Sequence, residues 1–288
     1  MDWTKRRERA RALLAGNKCV HPGSVYDGLS ARIAEDLGFE LGMFAGSVAS
    51  LTVLGAPDIA VLTLSEFAGQ AYRICRAGDL ALVVDADHGY GNALSVRRTV
   101  EELETAGVAI MSIEDTQLPA AYGTSKAQLI SLEEGVGKMR AALDARQDKK
   151  FIISGRTGAT NISGLEDAIA RGKAYEKAGV DAMFFTGLKT RAQLDAIAAQ
   201  MKIPLILGSP SAEMADKDYL ASRGVKICLQ GHMPFMASVQ ATYNTLKALR
   251  EGTPPAKLTG VPSEEFIDGF SREADYARWT REFLGGKS

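Results

Sequence analysis

The chain has 288 residues, of which 46% are hydrophobic and 24% charged. That predicts a folded protein of one large or two small domains and excludes wholesale disorder. Lys and Arg number 34 against 35 Asp and Glu, a net charge of −1 without any polybasic block, so neither nucleic acid nor an anionic membrane is an expected partner. The three cysteines, Cys19, Cys75 and Cys228, are widely spaced and form no Cys-x-x-Cys, which argues against a disulfide framework or a thiolate zinc site. No apolar run approaches the ~18–20 residues that cross a bilayer, and the polar N-terminus does not read as a signal peptide. A cytoplasmic protein is the expectation.

Taken in chain order, short apolar runs alternate with segments of helical period. The runs lie near Lys18–His21, Leu41–Ser47, Leu80–Asp85, Val108–Glu114, Phe151–Arg156, Ala182–Thr186, Pro204–Ser209 and Val225–Gln230. Each is apolar on successive residues, as strands buried on both faces are. Between them, Leu29, Ile33 and Leu37 predict one helical stripe. Leu64, Phe67, Ala71 and Cys75 predict a second, and Val96, Val100 and Leu103 a third. Leu132, Val136, Met139 and Leu143, then Leu194, Ile197 and Met201, predict two more. Thr63 with Glu66, Ser131 with Glu134, and Ser163 with Glu166 read as capping boxes. Phe235, Val239, Tyr243 and Leu246 predict a helix after the last strand, and 252–288 an aromatic-bearing helical extension.

Eight strand–helix alternations predict an α/β (β/α)8 TIM-like barrel as a single domain over residues 1–288. A doubly wound open sheet is the competing fold, weakened because no Gly-x-Gly-x-x-Gly follows the first run. The segment Asp115–Ile130, with Pro119 and Gly123 inside it, is far longer than the ~2–6 residues usual in such folds, and so reads as a lid or binding loop.

In a barrel the chemistry sits at the C-terminal ends of the strands. Those ends carry His21, Gly46-Ser47, Asp85-Ala-Asp87, Glu114-Asp115, Arg156 and Gly231-His232. Asp85, Asp87 and Glu114 together predict a hard divalent cation, Mg²⁺ with Mn²⁺ as the alternative, because clustered carboxylates repel unless neutralised. For Asp87 and Asp115 a turn or cap role competes. Arg156 ends an apolar strand and predicts a carboxylate grip, against a structural ion pair with Glu114 or Asp115. Ser47 can offer a hydroxyl and backbone amides to a carboxylate, with a simple turn serine as the alternative, and His232 reads as functional rather than core, with a satisfied surface histidine as its alternative. Cys75 and Cys228 read as small apolar residues.

Asp85-Ala-Asp-His-Gly-Tyr-Gly-Asn92, Ile113-Glu-Asp115 and Arg156-Thr157 resemble the isocitrate lyase/phosphoenolpyruvate mutase superfamily, over about residues 17–252. Gly46-Ser-Val-Ala-Ser-Leu51, Leu118-Pro-Ala120, Glu133-Glu-Gly-Val-Gly-Lys138 and Gly231-His232 are most similar to its oxaloacetate decarboxylase branch. The resemblance implies a Mg²⁺-dependent carboxy-lyase acting on oxaloacetate or a close 2-oxo acid through a pyruvate enolate. It implies a metal position at Asp85, substrate contacts from Ser47, Arg156 and His232, and a supporting aspartate at Asp58. It further implies an eighth helix exchanged between subunits in a homotetramer, a dimer of dimers.

Three departures stand out. Lyases of the superfamily carry Lys-x-Cys-Gly-His in the long loop, where this chain has Ala120-Ala-Tyr-Gly-Thr124; the missing cysteine speaks against isocitrate or methylisocitrate cleavage. Gly155 and Gly158 flank Arg156-Thr157 unusually. Phosphonopyruvate P–C bond chemistry, or binding of a 2-oxo acid without turnover, are the competing functions.

Overall fold

A computed structural model describes residues 2–209 and 211–285. The chain divides at His232/Met233 into two compact units.

The apolar runs become eight strands: β1 (Gly23–Ser24), β2 (Leu41–Phe44), β3 (Ala81–Asp85), β4 (Ile110–Glu114), β5 (Ile152–Thr157), β6 (Ala182–Phe185), β7 (Leu205–Leu207) and β8 (Val225–Cys228). All pair in parallel and in chain order. The first run is split. Val20 bridges Ile227 of β8, with Val20 N donating to Lys226 O at 2.9 Å and Cys228 N to Val20 O at 3.0 Å, while Gly23 and Ser24 pair with β2. The sheet thus curls back on itself, and the open-sheet alternative falls away. Side chains alternate between faces. The outward set, among them Val84, Ile113, Ile153 and Phe185, packs with helix residues such as Val100, Leu103 and Met139 in one buried core. Each such side chain contributes roughly 1.5–3 kcal/mol when withdrawn from water. The register Asp85↔Ser112↔Ser154 and Glu114↔Arg156↔Phe184 puts the polar residues on the other, inner face.

Two sequence expectations fail locally. The helix Gly28–Asp36 buries Ala31 and Ala34, whereas Leu29 and Leu37 of the expected stripe are 42% and 69% exposed. Close approach to β1 is the reason: a Cβ at Gly23 would lie 3.1 Å from Cβ of Ala34, so only small side chains fit that face. Ser163 does not cap a helix either. The helix Leu165–Ala178 starts behind Gly164 at φ +105°, and the Ser163 hydroxyl donates to Asp167. Thr63 and Glu66 do form a capping box, and Ser131 Oγ accepts from Glu134 N at 3.1 Å.

The N-terminal helix Thr4–Ala15 packs on the side of the barrel opposite the strand C-termini, against the segments that lead into β3, β4 and β5. Arg6 and Arg7 are buried there, donating to the carbonyls of Cys75 (2.8 Å) and Val108 (3.0 Å). Arg11 reaches Phe151 O at 3.0 Å.

The second unit holds the helices Met233–Arg250, Glu264–Ser271 and Glu273–Leu284. Its aromatics pair edge to face, Phe266 with Phe270 and Tyr276 with Trp279. No residue of Met233–Arg250 is buried, and Val239, Tyr243 and Leu246 of its apolar stripe are more than half exposed. Residues 286–288 of the expected extension lie outside the described residues. Among the described residues no helix is long and apolar enough to cross a membrane.

Candidate active site

Strand β3 ends at Asp85 and enters a turn where Asp87, Gly89, Tyr90 and Gly91 all take positive φ, between +45° and +147°. Such backbone is costly for Asp and Tyr and persists where surroundings over-determine it. Here Glu114 N donates to Asp87 O at 2.8 Å and Gly89 N to Ala86 O at 2.9 Å. A Cβ at Gly89 would fall 2.4 Å from Val96 Cγ2, so glycine is required by both φ and space. Asn92 closes the turn by accepting from Leu94 N and Ser95 N, starting the next helix.

The turn gathers acids around one cation. The Arg156 guanidinium pairs with Asp85 through Nη1 and with Glu114 through Nη2, the latter at 3.3 Å. It lies 5.3 Å above the Phe184 ring, and its buried Nε has no hydrogen-bond partner. The expected competing ion pair is therefore present toward Glu114, shared with Asp85, and not toward Asp115. Burial opposes the Arg156 charge, but Asp85 and Glu114 more than offset it and hold the group cationic. Glu114 is pushed up to about 6 by burial, against the pull of Arg156. Asp87 is pushed up to about 8, by burial first and then by Asp85, Asp58 and Glu114. Asp58 is raised by partial desolvation and by Asp85, and Arg156 opposes the shift.

Asp58, Asp85, Asp87, Glu114 and Arg156 are thus within electrostatic reach of one another. Ser47 follows Gly46, which lies against Asp87. It sits in the first turn of the short helix Gly46–Ala49, which no side chain caps and whose leading amides have no intrahelical acceptor. A Cβ at Gly46 would fall 2.5 Å from Asp87 Oδ1, so the glycine admits that carboxylate. His232 follows β8 and feels the Asp85 charge, while burial lowers its pKa. Its Nδ1 is 3.0 Å from Ser24 Oγ at the end of β1. His21 is turned away, its Nδ1 2.7 Å from the Cys228 carbonyl oxygen. All three cysteines are buried and unpaired; burial raises Cys19 and Cys75 to about 11 and Cys228 to about 12, which leaves no ready thiolate nucleophile.

Among the described residues no three carboxylate, imidazole or thiol groups are arranged as a complete metal-ligand shell. The donor chemistry nevertheless fits Mg²⁺. Four carboxylates face one guanidinium, and Asp87 is pushed up to about 8 by burial first and then by the neighbouring Asp85, Asp58 and Glu114 charges, so the cluster holds more acid than Arg156 alone neutralises. Mg²⁺ keeps several waters and needs only one or two direct carboxylates, so Asp85 with Asp87 or Glu114 could hold such an ion.

Sequence reasoning missed three contributors. Ser24 had no signal beyond a polar residue near the first strand. Tyr90, with its buried hydroxyl unpartnered, has its pKa raised by burial and by Asp87, Asp85 and Asp58. Lys138 is buried on the inner face of the helix Leu132–Ala145, and its Nζ donates to His88 O at 3.0 Å. A lysine on the stripe of Gly135, Met139 and Ala142 was a legible sign.

The long loop is a hairpin pinned at its base. Thr116 bridges Leu129, and Ile130 N donates to Asp115 O at 2.9 Å. Asp115, fully buried, accepts from Tyr175 Oη at 2.9 Å and Arg171 Nη1 at 3.1 Å, and Arg171 also holds Ile130 O. So Asp115 supports the loop rather than the reaction centre. Two glycines make room for Tyr175: a Cβ at Gly135 would lie 2.1 Å from its hydroxyl, and one at Gly155 would lie 3.1 Å from its ring. That accounts for the unusual Gly155. Nothing in the structure requires glycine at 158. The loop tip is open to solvent, with Tyr122 fully exposed.

Residues 11–250 match the family model described as phosphoenolpyruvate phosphomutase. A protein of Bradyrhizobium sp. (strain ORS 278) named oxaloacetate decarboxylase is 59% identical over 285 residues, 99% of each chain. The phosphoenolpyruvate phosphomutase of Streptomyces platensis subsp. rosaceus superposes with a TM-score of 0.87 at 26% identity, covering 96% of this chain and 99% of that one. A phosphonopyruvate hydrolase solved with oxalate and Mg²⁺ gives the same TM-score and identity, covering 97% and 99%. Barrel, acidic turn and full-length likeness agree: the chain belongs to the phosphoenolpyruvate phosphomutase family of the isocitrate lyase/phosphoenolpyruvate mutase superfamily.

Proposed function

We propose that the chain decarboxylates oxaloacetate, or a close 2-oxo acid, to pyruvate and CO₂. The observation that carries this reading is the 59% full-length identity to a protein named oxaloacetate decarboxylase. The site supports it: an acidic turn beside the half-buried Arg156, with the three cysteines buried and their thiols held protonated.

The C3–C4 bond of oxaloacetate breaks and the C4 carboxylate leaves as CO₂. Its electron pair passes to C2–C3 as the enolate of pyruvate, and a proton from water then adds at C3. Asp85, with Asp87 or Glu114, would hold Mg²⁺ or Mn²⁺, which when bound supplies Lewis-acid stabilisation of the charge developing on the C2 oxygen. Ser47 and the amides around it orient the C1 carboxylate. The unpartnered Nε of Arg156 offers a further donor to substrate oxygen. His232 contacts the C4 carboxylate and selects the rotamer in which the breaking bond is aligned with the ketone. Asp58 sustains the local charge balance around Asp85 and Arg156.

The deciding experiment supplies a panel of 2-oxo acids with Mg²⁺ and measures pyruvate, CO₂ and phosphate. CO₂ from oxaloacetate supports the proposal. Phosphate from phosphonopyruvate, with no CO₂ from oxaloacetate, transfers it to the second reading, P–C bond chemistry, which the phosphomutase and hydrolase likenesses favour. Oxalate, a planar mimic of the enolate, should bind more tightly than pyruvate; equal affinity counts against an enolate.

The exposed apolar stripe of Met233–Arg250 supports a homo-oligomer, a dimer of dimers, in which residues 1–288 form one barrel domain with 252–288 as its extension. A cytoplasmic location accords with this reading.

A further inference from the structure

We infer that Ser24 is a positioning residue for His232, holding its imidazole as the Nε2–H tautomer so that it meets the substrate's distal carboxylate as a neutral donor rather than as a base.

Ser24 is 8% exposed, and its Oγ lies 3.0 Å from His232 Nδ1, across 208 positions of sequence. Closure of the barrel brings them together, since β1 and β8 are joined through the Val20–Ile227 bridge. The direction of this hydrogen bond follows from donor accounting. A hydroxyl carries one proton and two lone pairs, and a neutral imidazole one N–H and one acceptor nitrogen. Ser24 Oγ has no other hydrogen-bond partner among the described residues. If Nδ1 carried the proton, the serine hydrogen would be left without an acceptor in a buried place, which costs more than a made bond returns. With Oγ–H donating to Nδ1, both groups are satisfied and the imidazole proton resides on Nε2. That nitrogen has no partner and is not sealed from solvent. Burial lowers the His232 pKa, consistent with a neutral ring. A neutral N–H can hydrogen-bond a carboxylate without forming an ion pair that would stabilise it against leaving as CO₂.

The kinetic arm rests on the decarboxylase reading; the spectroscopic arm does not. The chain has three histidines, His21, His88 and His232, so ¹⁵N-histidine labelling of the full chain gives a resolvable spectrum, with His232 assigned by comparison with His232→Gln. Above the pH where the ring is neutral, two-bond ¹⁵N–¹H couplings should identify His232 as Nε2–H. Ser24→Ala should shift the ring toward the other tautomer and lower kcat/KM for oxaloacetate roughly tenfold, the scale of one lost hydrogen bond. Ser24→Thr, which keeps the hydroxyl, should restore both. In a His232→Gln background Ser24→Ala should cause no further loss, as coupled residues behave in a double-mutant cycle. An Nδ1–H ring in the wild type overturns the assignment. So does wild-type kcat/KM in Ser24→Ala, or an equal loss with and without His232. Failure of oxaloacetate turnover with the Nε2–H tautomer present rejects the proposed reaction and leaves the Ser24–His232 geometry standing.

Discussion

Asp87→Asn removes one charge from the acidic turn while keeping its shape. Asn tolerates the φ of +45° that Asp87 adopts, and it is close to isosteric, so the contact with Gly46 is preserved. Asp87 titrates near 3.8 in an unfolded chain and at about 8 in the fold. Between those values the native state holds a proton that the unfolded state has lost. The linkage therefore makes the cation-free protein less stable as pH rises from about 4 to 8, and level above that. One full proton across the window would total about 6 kcal/mol at 1.36 kcal/mol per unit. The proton is shared among interacting carboxylates, each relaxing in turn, so a difference of about 3 kcal/mol is expected. In EDTA at pH 8, Asp87→Asn should thus be more stable than wild type by about 3 kcal/mol, and at pH 4.5 the two should nearly coincide. Urea denaturation across pH 4.5–8.5 measures this. Millimolar Mg²⁺ should reverse the order by stabilising the wild type through binding to its native state. An Asp87→Asn protein less stable than wild type at pH 8 in EDTA, or one with the wild-type pH slope, would refute the reasoning.

Chelation should abolish oxaloacetate turnover and Mg²⁺ or Mn²⁺ restore it, and Asp85→Ala should lose measurable turnover; full activity in metal-free protein contradicts the assigned role of the turn. His232→Gln should cut oxaloacetate turnover by ~100-fold, the scale of a positioned polar group, with a smaller effect on oxalate affinity; near-normal kinetics would mark His232 as a bystander. Tyr175→Phe deletes a hydrogen bond to the buried Asp115 carboxylate and should cost about 1.5–3 kcal/mol, a Tm drop of roughly 3–6 °C by calorimetry; an unchanged Tm would show that the loop base does not depend on it. Light scattering at micromolar concentration should report a tetramer, and a monomer rules out the proposed burial of the Met233–Arg250 stripe.

Much of the framework was legible in the chain. Continuous apolar runs such as Ala81–Val84 and Phe151–Ile153 mark strands covered on both faces, and their count limits the topology. The acidic turn was legible as well, because Asp85, Asp87, Gly89 and Gly91 are adjacent in sequence and their φ demands are local. The stripe Leu29, Ile33, Leu37 misled because helical period names a face without saying what lies against it; contact with Gly23 admitted Ala31 and Ala34 instead.

The sequence by itself determined the parallel strands, the strand ends that carry charge and the family, since these depend on periodicity and on motifs a few residues long. Only the tertiary structure decided the partners. Arg156 chose Asp85 and Glu114 over Asp115, Gly135 and Gly155 proved to be the space around Tyr175, and Ser24 met His232 across the closed barrel. Those choices rest on which side chains the curled sheet brings within 3 Å or so of one another, and hydrogen bonds and ion pairs fall off over that distance in a way that no spacing along the chain encodes.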